Sequence, residues 1–492
     1  MTESPDLPTG PAPRVPTGVD GLDTLLRGGW LRGGTYILTG MPGTGKTLLG
    51  NQFCFATVAL GGRAVYVTVL TESHSRMVLH LSPLGFFQPE AVGRSLHYVS
   101  GSAALKGEGL TGLNRLIFRA VREHDATTLV LDGLSAAEEY AESRLAFREF
   151  LHALCVQSAL AGCTTLLLTG RPPDGEDSQF ALVDGVVALS LDVLGLKAVR
   201  GVEVPKFRGG AQLPGRHAFD ISDAGVRVFP RAEALYFHPP AEVPDPRQRL
   251  SFGLPWLDAM LTGGLVRDTS TLLFGAPGTG KTLLGLHFLA EGARRDEPGL
   301  YLGFQEMPSR LLQAAGGVGL DLRAHVAKGH VRLETQVDVE APPDALVQRL
   351  LEHVEQHQVR RLFLDGLVTF AQESMSPERL PRFLVAVMNM LRERHVSVLI
   401  AQETHTLVGQ EPSTPQSGLE AVVDNIILLR FVELRARRHR VLSVLKMRES
   451  DNDPSLRLYT IGPEGITARD DASRGRKRPT RPRAAGKRGG RA

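Results

Sequence analysis

The octapeptide GMPGTGKT, at Gly40–Thr47, recurs as GAPGTGKT at Gly275–Thr282, with a change only at its second residue. Both copies fit the pattern G-x-x-x-x-G-K-[ST], whose glycines let the backbone curl around phosphate with its N–H groups pointing inward. An apolar run, TYILTG or STLLFG, precedes each copy and a helical pattern follows it. The sequence therefore predicts two nucleotide-binding loops. Their expected contact residues are Gly40, Gly43, Thr44, Gly45, Lys46 and Thr47, and Gly275, Gly278, Thr279, Gly280, Lys281 and Thr282.

Two side chains in each loop have specific expected roles toward a nucleotide and its magnesium ion. Lys46 and Lys281 are expected to reach the β- and γ-phosphates, and Thr47 and Thr282 to offer a hydroxyl to Mg²⁺. The helix that follows each loop places its positive N-terminal end against the same negative charge.

An aspartate ends a buried-strand pattern in each half: Asp132 in LVLD and Asp365 in LFLD. In P-loop NTPases an acidic residue at such a strand end helps to hold Mg²⁺. A strand-end aspartate can also be only a turn residue, but its recurrence downstream of both loops favours the metal ligand. The sequence has no N-K-x-D segment that would read guanine, so ATP is favoured over GTP.

A glutamate follows another predicted strand in each half: Glu72 after VYVTVLT and Glu306 after LYLGFQ. A carboxylate at a neighbouring strand end of the same sheet can orient and polarise the attacking water. The alternative is a solvated loop carboxylate. The match between the halves favours the catalytic role for both residues.

A basic pair lies late in each half, as Lys206-Phe207-Arg208 and Lys446-Met447-Arg448. Each pair follows a predicted strand, in which residues i and i+2 face the same way, so lysine and arginine are expected to project together. Two cations on one face can simply be a solvated edge strand. The duplication favours a sharper hypothesis, in which the pair neutralises γ-phosphate charge in a neighbouring subunit's site.

The similarity between the halves extends over a whole domain: TTLVLDGLS matches RLFLDGLVT, and VEVPKFRGG matches LSVLKMRES. Short β-rich runs alternate with helical segments such as Arg144–Ala161 and Arg379–Arg394, which predicts βαβ units and a mainly parallel sheet covered by helices. The predicted organisation is a flexible lead (1–15), a first ATPase domain (16–230), a proline-rich linker (231–248), a second ATPase domain (249–470) and a tail (471–492).

The net charge of +3 conceals an uneven distribution. Residues 472–492 carry nine lysines and arginines and no acid, so the rest of the chain has a charge of about −6. The tail has almost no apolar side chains to bury, which predicts disorder. A polybasic segment of this kind can bind nucleic acid in a salt-dependent way.

Composition narrows the class of protein. Apolar residues make up 42% and charged residues 22%, as in soluble globular proteins. The N-terminus does not resemble a signal peptide, and no apolar run approaches the roughly 18 residues of a membrane span. Three cysteines without CxxC spacing predict neither a disulfide framework nor a zinc site. We therefore expect a cytoplasmic protein without membrane contact.

From about Pro16 to Ala468 the sequence resembles the KaiC family of circadian-clock ATPases, within the RecA-like P-loop superfamily. Besides the two loops, the segments VDGVVALSLDVLGLKAVRGVEVPKFRGG and DNIILLRFVELRARRHRVLSVLKMRESDND look like the ends of that family's two domains. The resemblance implies two tandem RecA-like domains and a double-ring homohexamer with ATP held between adjacent subunits. It also implies that Lys206, Arg208, Lys446 and Arg448 act across the subunit interface.

The chain departs from the family pattern at two places. The family has two consecutive glutamates where this chain has Thr71-Glu72 and Gln305-Glu306. The family's autophosphorylated Ser-Thr pair corresponds to Glu420-Ala421, which cannot accept a phosphoryl group. Serine/threonine autokinase activity is the family-level expectation, but these changes predict that ATP hydrolysis is kept and autophosphorylation at those positions is lost.

Three functions fit this sequence. The favoured one is an ATP-hydrolysing regulatory switch, a hexamer whose nucleotide state controls binding of partner proteins that the sequence does not name. The second is a DNA-dependent ATPase of the same superfamily, with the basic tail on the phosphate backbone. The third is a scaffold that binds ATP only to assemble.

Overall fold

The computed structural model describes residues 13–69, 74–170, 179–194, 197–240, 244–304, 306–336, 341–404, 418–434, 437–448 and 450–468. The chain divides into two compact units. The first comprises Met1–Phe237 with Glu340–Leu351, and the second comprises His238–Val339 with Glu352–Ala492. Each half of the sequence supplies one nine-stranded sheet.

The first half alternates strands and helices around its phosphate loop. Its strands are β1 (Arg14–Val15), β2 (Trp30–Leu31), β3 (Thr35–Gly40), β4 (Ala64–Thr68), β5 (Leu96–Ser100), β6 (Thr128–Asp132), β7 (Thr164–Thr169), β8 (Gly185–Leu194), β9 (Lys197–Phe207), β10 (His217–Ser222) and β11 (Gly225–Phe229). Its helices are α1 (Leu22–Leu25), α2 (Lys46–Ala59), α3 (His74–Leu81), α4 (Ser102–Glu123), α5 (Leu134–Glu139), α6 (Arg144–Leu160), α7 (Gln179–Leu182) and α8 (Ala232–Tyr236), with a 3₁₀ turn at Pro89–Ala91.

The second half repeats this arrangement. Its strands are β12 (Arg249–Leu250), β13 (Leu265–Val266), β14 (Ser270–Gly275), β15 (Gly299–Gly303), β16 (Val331–Thr335), β17 (Arg361–Asp365), β18 (Ser397–Glu403), β19 (Asn425–Leu434), β20 (Arg437–Met447), β21 (Arg457–Gly462) and β22 (Gly465–Ala468). Its helices are α9 (Pro255–Met260), α10 (Lys281–Arg294), α11 (Pro308–Gly317), α12 (Leu322–Ala327), α13 (Pro343–Gln356), α14 (Leu367–Ser374), α15 (Leu380–Arg392) and α16 (Leu419–Val422).

The two large sheets have the same strand order. The first runs β11-β10-β9-β8-β3-β7-β6-β4-β5, and the second, read in the same sense, runs β22-β21-β20-β19-β14-β18-β17-β15-β16. Six strands of each sheet are parallel, and the last three are added antiparallel. The prediction of two tandem P-loop α/β domains of the RecA type is confirmed.

The antiparallel extension was not predicted. It arises because β8 and β19 turn back directly into β9 and β20, whereas parallel neighbours need a crossover helix between them. The resulting hairpins are the longest pairings in each sheet, from Leu194↔Lys197 to Gly185↔Phe207 and from Leu434↔Arg437 to Asn425↔Met447.

Strand β3 shows that both faces of the parallel part of the sheet are covered. Tyr36 and Leu38 pack into one buried cluster, while Ile37, between them, packs into a second cluster on the opposite face. Successive side chains of a strand point to opposite faces, so both faces of the sheet are covered at β3, and its two threonines, Thr35 and Thr39, are buried as well.

Two predicted helices are present with nearly the expected bounds: α6 ends one residue before Ala161, and α15 begins one residue after Arg379. Arg14 and Val15, assigned to the flexible lead, form β1 and pair with β2. The tail, 471–492, lies outside the described residues. Within the described part of the chain, no helix is both long enough and apolar enough to cross a bilayer.

Candidate nucleotide sites

Each phosphate loop connects the central strand of its sheet to the following helix, β3 to α2 and β14 to α10. Gly45 and Gly280, the last residues before the helices, both have φ 102°, in the left-handed region that favours glycine. An added Cβ would also lie 2.8 Å from Ile221 Cδ1 in the first loop and 2.6 Å from Ile461 Cδ1 in the second. The backbone conformation therefore favours glycine at these positions, and a larger residue would also displace the end of an isoleucine side chain.

The loop lysines lie inside their own loops. Lys46 Nζ donates to the carbonyls of Gly40 (2.7 Å) and Met41 (3.0 Å). Lys281 Nζ donates to Gly275 (2.9 Å) and Ala276 (3.1 Å). Burial lowers the pKa of both lysines, while neighbouring carboxylates, Asp132 in the first site, act to raise it. Each ammonium is thus held where the loop can enclose an anion.

The threonine after each lysine meets the predicted metal aspartate. Thr47 Oγ1 donates to Asp132 Oδ2, and Thr282 Oγ1 donates to Asp365 Oδ2, each at 3.0 Å. A hydroxyl and a carboxylate side by side are hard oxygen ligands of the kind Mg²⁺ takes in NTPases. The four side chains that were predicted to hold magnesium therefore form two matching pairs.

Burial and neighbouring charges shift the pKa of Asp365, the carboxylate of the second pair. Burial, together with the charges of Glu306 and Glu403, raises the pKa of Asp365 to about 6, although the Thr282 hydroxyl and the Lys281 ammonium oppose the rise. Burial and the Asp365 charge also raise the pKa of the Tyr301 phenol. A divalent cation would supply the positive charge that this carboxylate lacks.

A cavity of about 620 Å³ opens beside the first loop. Its polar wall is formed by the loop, Thr47 and Asp132, and its apolar wall by side chains of α3. The lining residues are Pro42, Gly43, Gly45, Lys46, Thr47, Leu48, Met77, His80, Leu81, Leu84, Asp132, Gly133, Ser135, Ala136, Leu168, Thr169 and Gly170. Loop, hydroxyl, carboxylate and volume together fit Mg·ATP.

The two glutamates predicted to orient water differ in what the structure describes. Glu72 lies outside the described residues. Glu306 is half-buried just after β15, and its backbone carbonyl accepts a hydrogen bond from Thr335 Oγ1 (2.9 Å). Its charge contributes to the raised pKa of Asp365.

Glu403 was not predicted as a site residue. It ends β18, opposite Gly275 of the phosphate strand, and its carboxylate lies 3.5 Å from Lys281 Nζ. The position was visible in the sequence as the last residue of VSVLIAQE, a run that the halves share. In the first half the corresponding residue is Gly170, so the two sites differ beside their lysines.

In the first half the basic pair converges on a short helix of its own chain. Lys206 Nζ donates to the carbonyls of Phe180 (2.8 Å) and Ala181 (2.9 Å), and Arg208 also donates to Ala181 (3.0 Å). Burial and the Arg208 charge lower the pKa of Lys206. The expected common direction of the two side chains is observed here.

The second pair repeats the arrangement on α16, the helix that holds Glu420 and Ala421. Lys446 Nζ donates to the carbonyls of Glu420 (2.9 Å) and Val423 (2.7 Å), and Arg448 donates to Ala421 (3.2 Å). Burial and the Arg448 charge lower the pKa of Lys446. The positions corresponding to the family's phosphorylated residues therefore touch the basic pair through their backbone.

The basic pairs and the loops lie at opposite edges of each sheet. Lys206 pairs with Val186, which pairs with Ile37 near the start of β3, whereas the loop leaves the end of β3. Arg208 lies beyond Lys206, still farther from that end. The pair lies three to five residues back along the strands and two strands to the side, which puts its backbone about 15–20 Å from the strand end where its own loop begins.

Comparison with known proteins identifies the family. A family model described as "ATPase: KaiC" matches residues 15–233 and 250–473. The chain is 27% identical to the circadian clock oscillator protein KaiC of Thermostichus vulcanus over 93% of this chain and 89% of that protein. It is 27% identical to the circadian clock oscillator protein KaiC 1 of Synechocystis sp., over 95% and 91%. Because the family model covers both halves and most of their length, the chain belongs to the KaiC ATPase family.

Proposed function

We propose that this protein hydrolyses ATP at both loops and works as a regulatory switch, in a double-ring hexamer whose shape follows the bound nucleotide. The observation that carries the proposal is the repeated threonine–aspartate contact, 3.0 Å in each half, beside a lysine enclosed by its loop. A single loop could be a relic of an ancestor, but two with the same contact geometry argue that both sites are under functional constraint.

The residues of each site have separate roles in binding and hydrolysis. The loop N–H groups and the lysine bind the phosphates, while Thr47 with Asp132, and Thr282 with Asp365, hold the magnesium ion. When bound, that ion neutralises charge on the β- and γ-phosphates. Glu306, and Glu72 in the first half, orient the attacking water.

The basic pairs act on the neighbouring subunit. A pair that lies about 15–20 Å from its own loop cannot reach its own γ-phosphate. Head-to-tail contacts generate closed rings, and we propose a ring in which the basic-pair edge of one sheet faces the loop edge of the next. Lys206 with Arg208, and Lys446 with Arg448, therefore complete the adjacent site and supply about 10³–10⁵ in rate, as such fingers do.

Autokinase activity, the family-level expectation, does not extend to the corresponding positions of this chain. Ala421 has no hydroxyl, and Glu420 carries a carboxylate where a phosphoryl group would be added. We propose that the permanent charge of Glu420 keeps this ring in one state, and that regulation comes from ATP turnover and from protein partners.

The test is phosphate release by the full-length protein with and without Mg²⁺, together with the mass of the assembly in saturating Mg·ATP. The proposal expects slow, Mg²⁺-dependent release by a hexamer, and loss of release in the Lys46→Ala/Lys281→Ala double variant. A hexamer that forms with ATP but releases no phosphate would favour the scaffold function instead, and a monomer would overturn the proposal.

A further inference from the structure

The second phosphate loop is held from outside by two hydrogen bonds to consecutive carbonyls. Arg440 Nε donates to the carbonyl of Gly278 (3.1 Å), and Tyr459 Oη donates to the carbonyl of Thr279 (2.5 Å). Arg440 and Tyr459 face each other across β20 and β21, outside the parallel part of the sheet. Both side chains therefore reach the loop from strands that lie about 160–180 residues later in the sequence.

These bonds fix the direction of the loop's amide groups. In a trans peptide the C=O and the following N–H point to opposite sides of the chain. A carbonyl held outward by Arg440 turns the Thr279 N–H inward, where it donates to Ala276 O, the carbonyl that Lys281 Nζ also contacts. By the same geometry, the bond from Tyr459 turns the Gly280 N–H inward.

Arg440 and Tyr459 are each held in place by an aromatic neighbour. The Arg440 guanidinium lies 5.5 Å from the centre of the Phe431 ring, its partner across the β19–β20 hairpin. Tyr459 is buried and stacks on Trp256, with ring centres 6.0 Å apart. Burial raises the pKa of the Tyr459 phenol, so the hydroxyl is protonated and can donate at neutral pH.

The first loop lacks the tyrosine contact. Phe219 occupies the place of Tyr459, because it pairs with Arg200 as Tyr459 pairs with Arg440, and it lies two residues before the isoleucine beside the loop's last glycine. Phenylalanine has no hydroxyl to donate. Arg200, the counterpart of Arg440, has a buried Nε without a hydrogen-bond partner among the described residues.

We infer that Tyr459, supported by Arg440, is a positioning residue that holds the second loop in its phosphate-binding form before nucleotide arrives, and that Phe219 leaves the first loop less preorganised. This inference rests on the proposed function, since it concerns how that function's two sites bind ATP. It makes residue 459 a determinant of the difference in affinity between the two halves of one chain.

The test uses the full-length protein, Mg²⁺ and the fluorescent analogue mant-ATP. The Lys46→Ala background reports on the second site and the Lys281→Ala background on the first. Tyr459→Phe keeps the stacked ring and removes only the hydroxyl, so it is expected to raise the second-site Kd about fivefold, the typical effect of one lost hydrogen bond. The rate of hydrolysis at saturating ATP is expected to stay within about twofold, because ground state and transition state lose the same contact.

The reciprocal variant and a control separate positioning from general stability. Phe219→Tyr is expected to lower the first-site Kd by a few-fold, a gain that a purely structural role would not give. Tyr36→Phe removes a buried hydroxyl that accepts from the Leu31 N–H (2.8 Å) near the start of β3, at the end opposite the first loop, and is expected to leave both Kd values unchanged.

An unchanged second-site Kd in Tyr459→Phe would overturn the inference alone, as would an equal rise in Tyr36→Phe. Absence of any mant-ATP binding by the Lys46→Ala parent would overturn the proposed function at the second site, and the inference with it.

Discussion

Lys281 Nζ lies 3.5 Å from Glu403 Oε1, so the lysine of the second loop shares its charge with a carboxylate of its own chain. Lys281 is 6% exposed and Glu403 is 65% exposed, which means that only the lysine side of the pair is removed from water. The first site has Gly170 at the matching position. A phosphate that binds Lys281 must compete with Glu403, whereas the matching position beside Lys46, Gly170, has no side chain to compete.

Replacing Glu403 by glutamine is therefore expected to tighten ATP binding at the second site. An ion pair with one exposed partner is worth up to about 1 kcal/mol, which corresponds to a two- to fivefold lower KM. The measurement is steady-state hydrolysis in the Lys46→Ala background, with the exposed Glu378→Gln as the matched control. A large fall in kcat without a lower KM would mean that Glu403 assists the reaction and does not compete for the lysine.

Asp365→Asn is expected to stabilise the nucleotide- and metal-free protein at pH 7.5. The raised pKa of Asp365, from 3.8 to about 6, means that the folded state binds this proton more tightly than the unfolded state. The resulting stability is present at low pH and is lost as pH rises through about 6, amounting to about 1 kcal/mol between pH 5 and pH 7.5. Asparagine keeps the acceptor for Thr282 without this loss.

Urea unfolding in EDTA at the two pH values measures that effect. At pH 7.5 the variant should have a larger free energy of unfolding than the parent. At pH 5 this advantage should be smaller by about 1 kcal/mol. The same variant should lose Mg²⁺-dependent turnover at the second site, which checks the metal role independently. A stability difference that does not change with pH would contradict the burial of an ionised Asp365.

Removal of residues 472–492 tests the alternative of a DNA-dependent ATPase. We expect the shortened protein to keep the Mg²⁺-dependent turnover of the full chain, because both sites lie outside the tail. If DNA binds the full chain, its affinity should fall steeply with salt and be lost on truncation. Strong stimulation of turnover by DNA in the full chain, and none in the shortened one, would instead support the DNA-dependent function.

Intact mass after incubation with Mg·ATP tests the loss of autophosphorylation. We expect no species heavier by about 80 Da, the mass that one phosphoryl group adds. An Ala421→Thr variant is a useful comparison, since it restores a hydroxyl at a family acceptor position while leaving Gln305 in place. A stoichiometric phosphorylated species in the unmodified chain would contradict the expectation and point to another acceptor.

The sequence was sufficient to predict the loops and the alternation of strands and helices around them, and it assigned Thr47 and Asp132 to one expected magnesium site and Thr282 and Asp365 to the other. These features depend on local sequence patterns, since a glycine-rich loop between an apolar strand and a helix has few other interpretations. In a parallel sheet, moreover, the carboxyl ends of neighbouring strands lie at the same edge. An aspartate at such an end is therefore predicted to lie near the loop that leaves the neighbouring strand.

The residues that distinguish the two sites could not be predicted in the same way. Arg440 and Tyr459 contact the second loop only because three antiparallel strands extend the sheet and place these two side chains beside the loop. No local sequence pattern indicates such a contact. The corresponding residues of the two halves, Phe219 and Tyr459, differ only by one hydroxyl oxygen. Glu403 had a visible signal, a carboxylate at a strand end beside the loop strand, but Glu306 fulfilled the same expectation.

In the proposed ring, each site is completed by cations from the adjacent subunit. The direct measurement mixes two inactive proteins: one with both loop lysines replaced by alanine, and one with Lys206, Arg208, Lys446 and Arg448 replaced by alanine. In a randomly mixed ring, about a quarter of the sites combine an intact loop with an intact basic pair from the neighbour. We expect ATP hydrolysis to return on mixing to about that fraction of the wild-type rate. A mixture that stays as inactive as its components would contradict completion of the sites by the adjacent subunit.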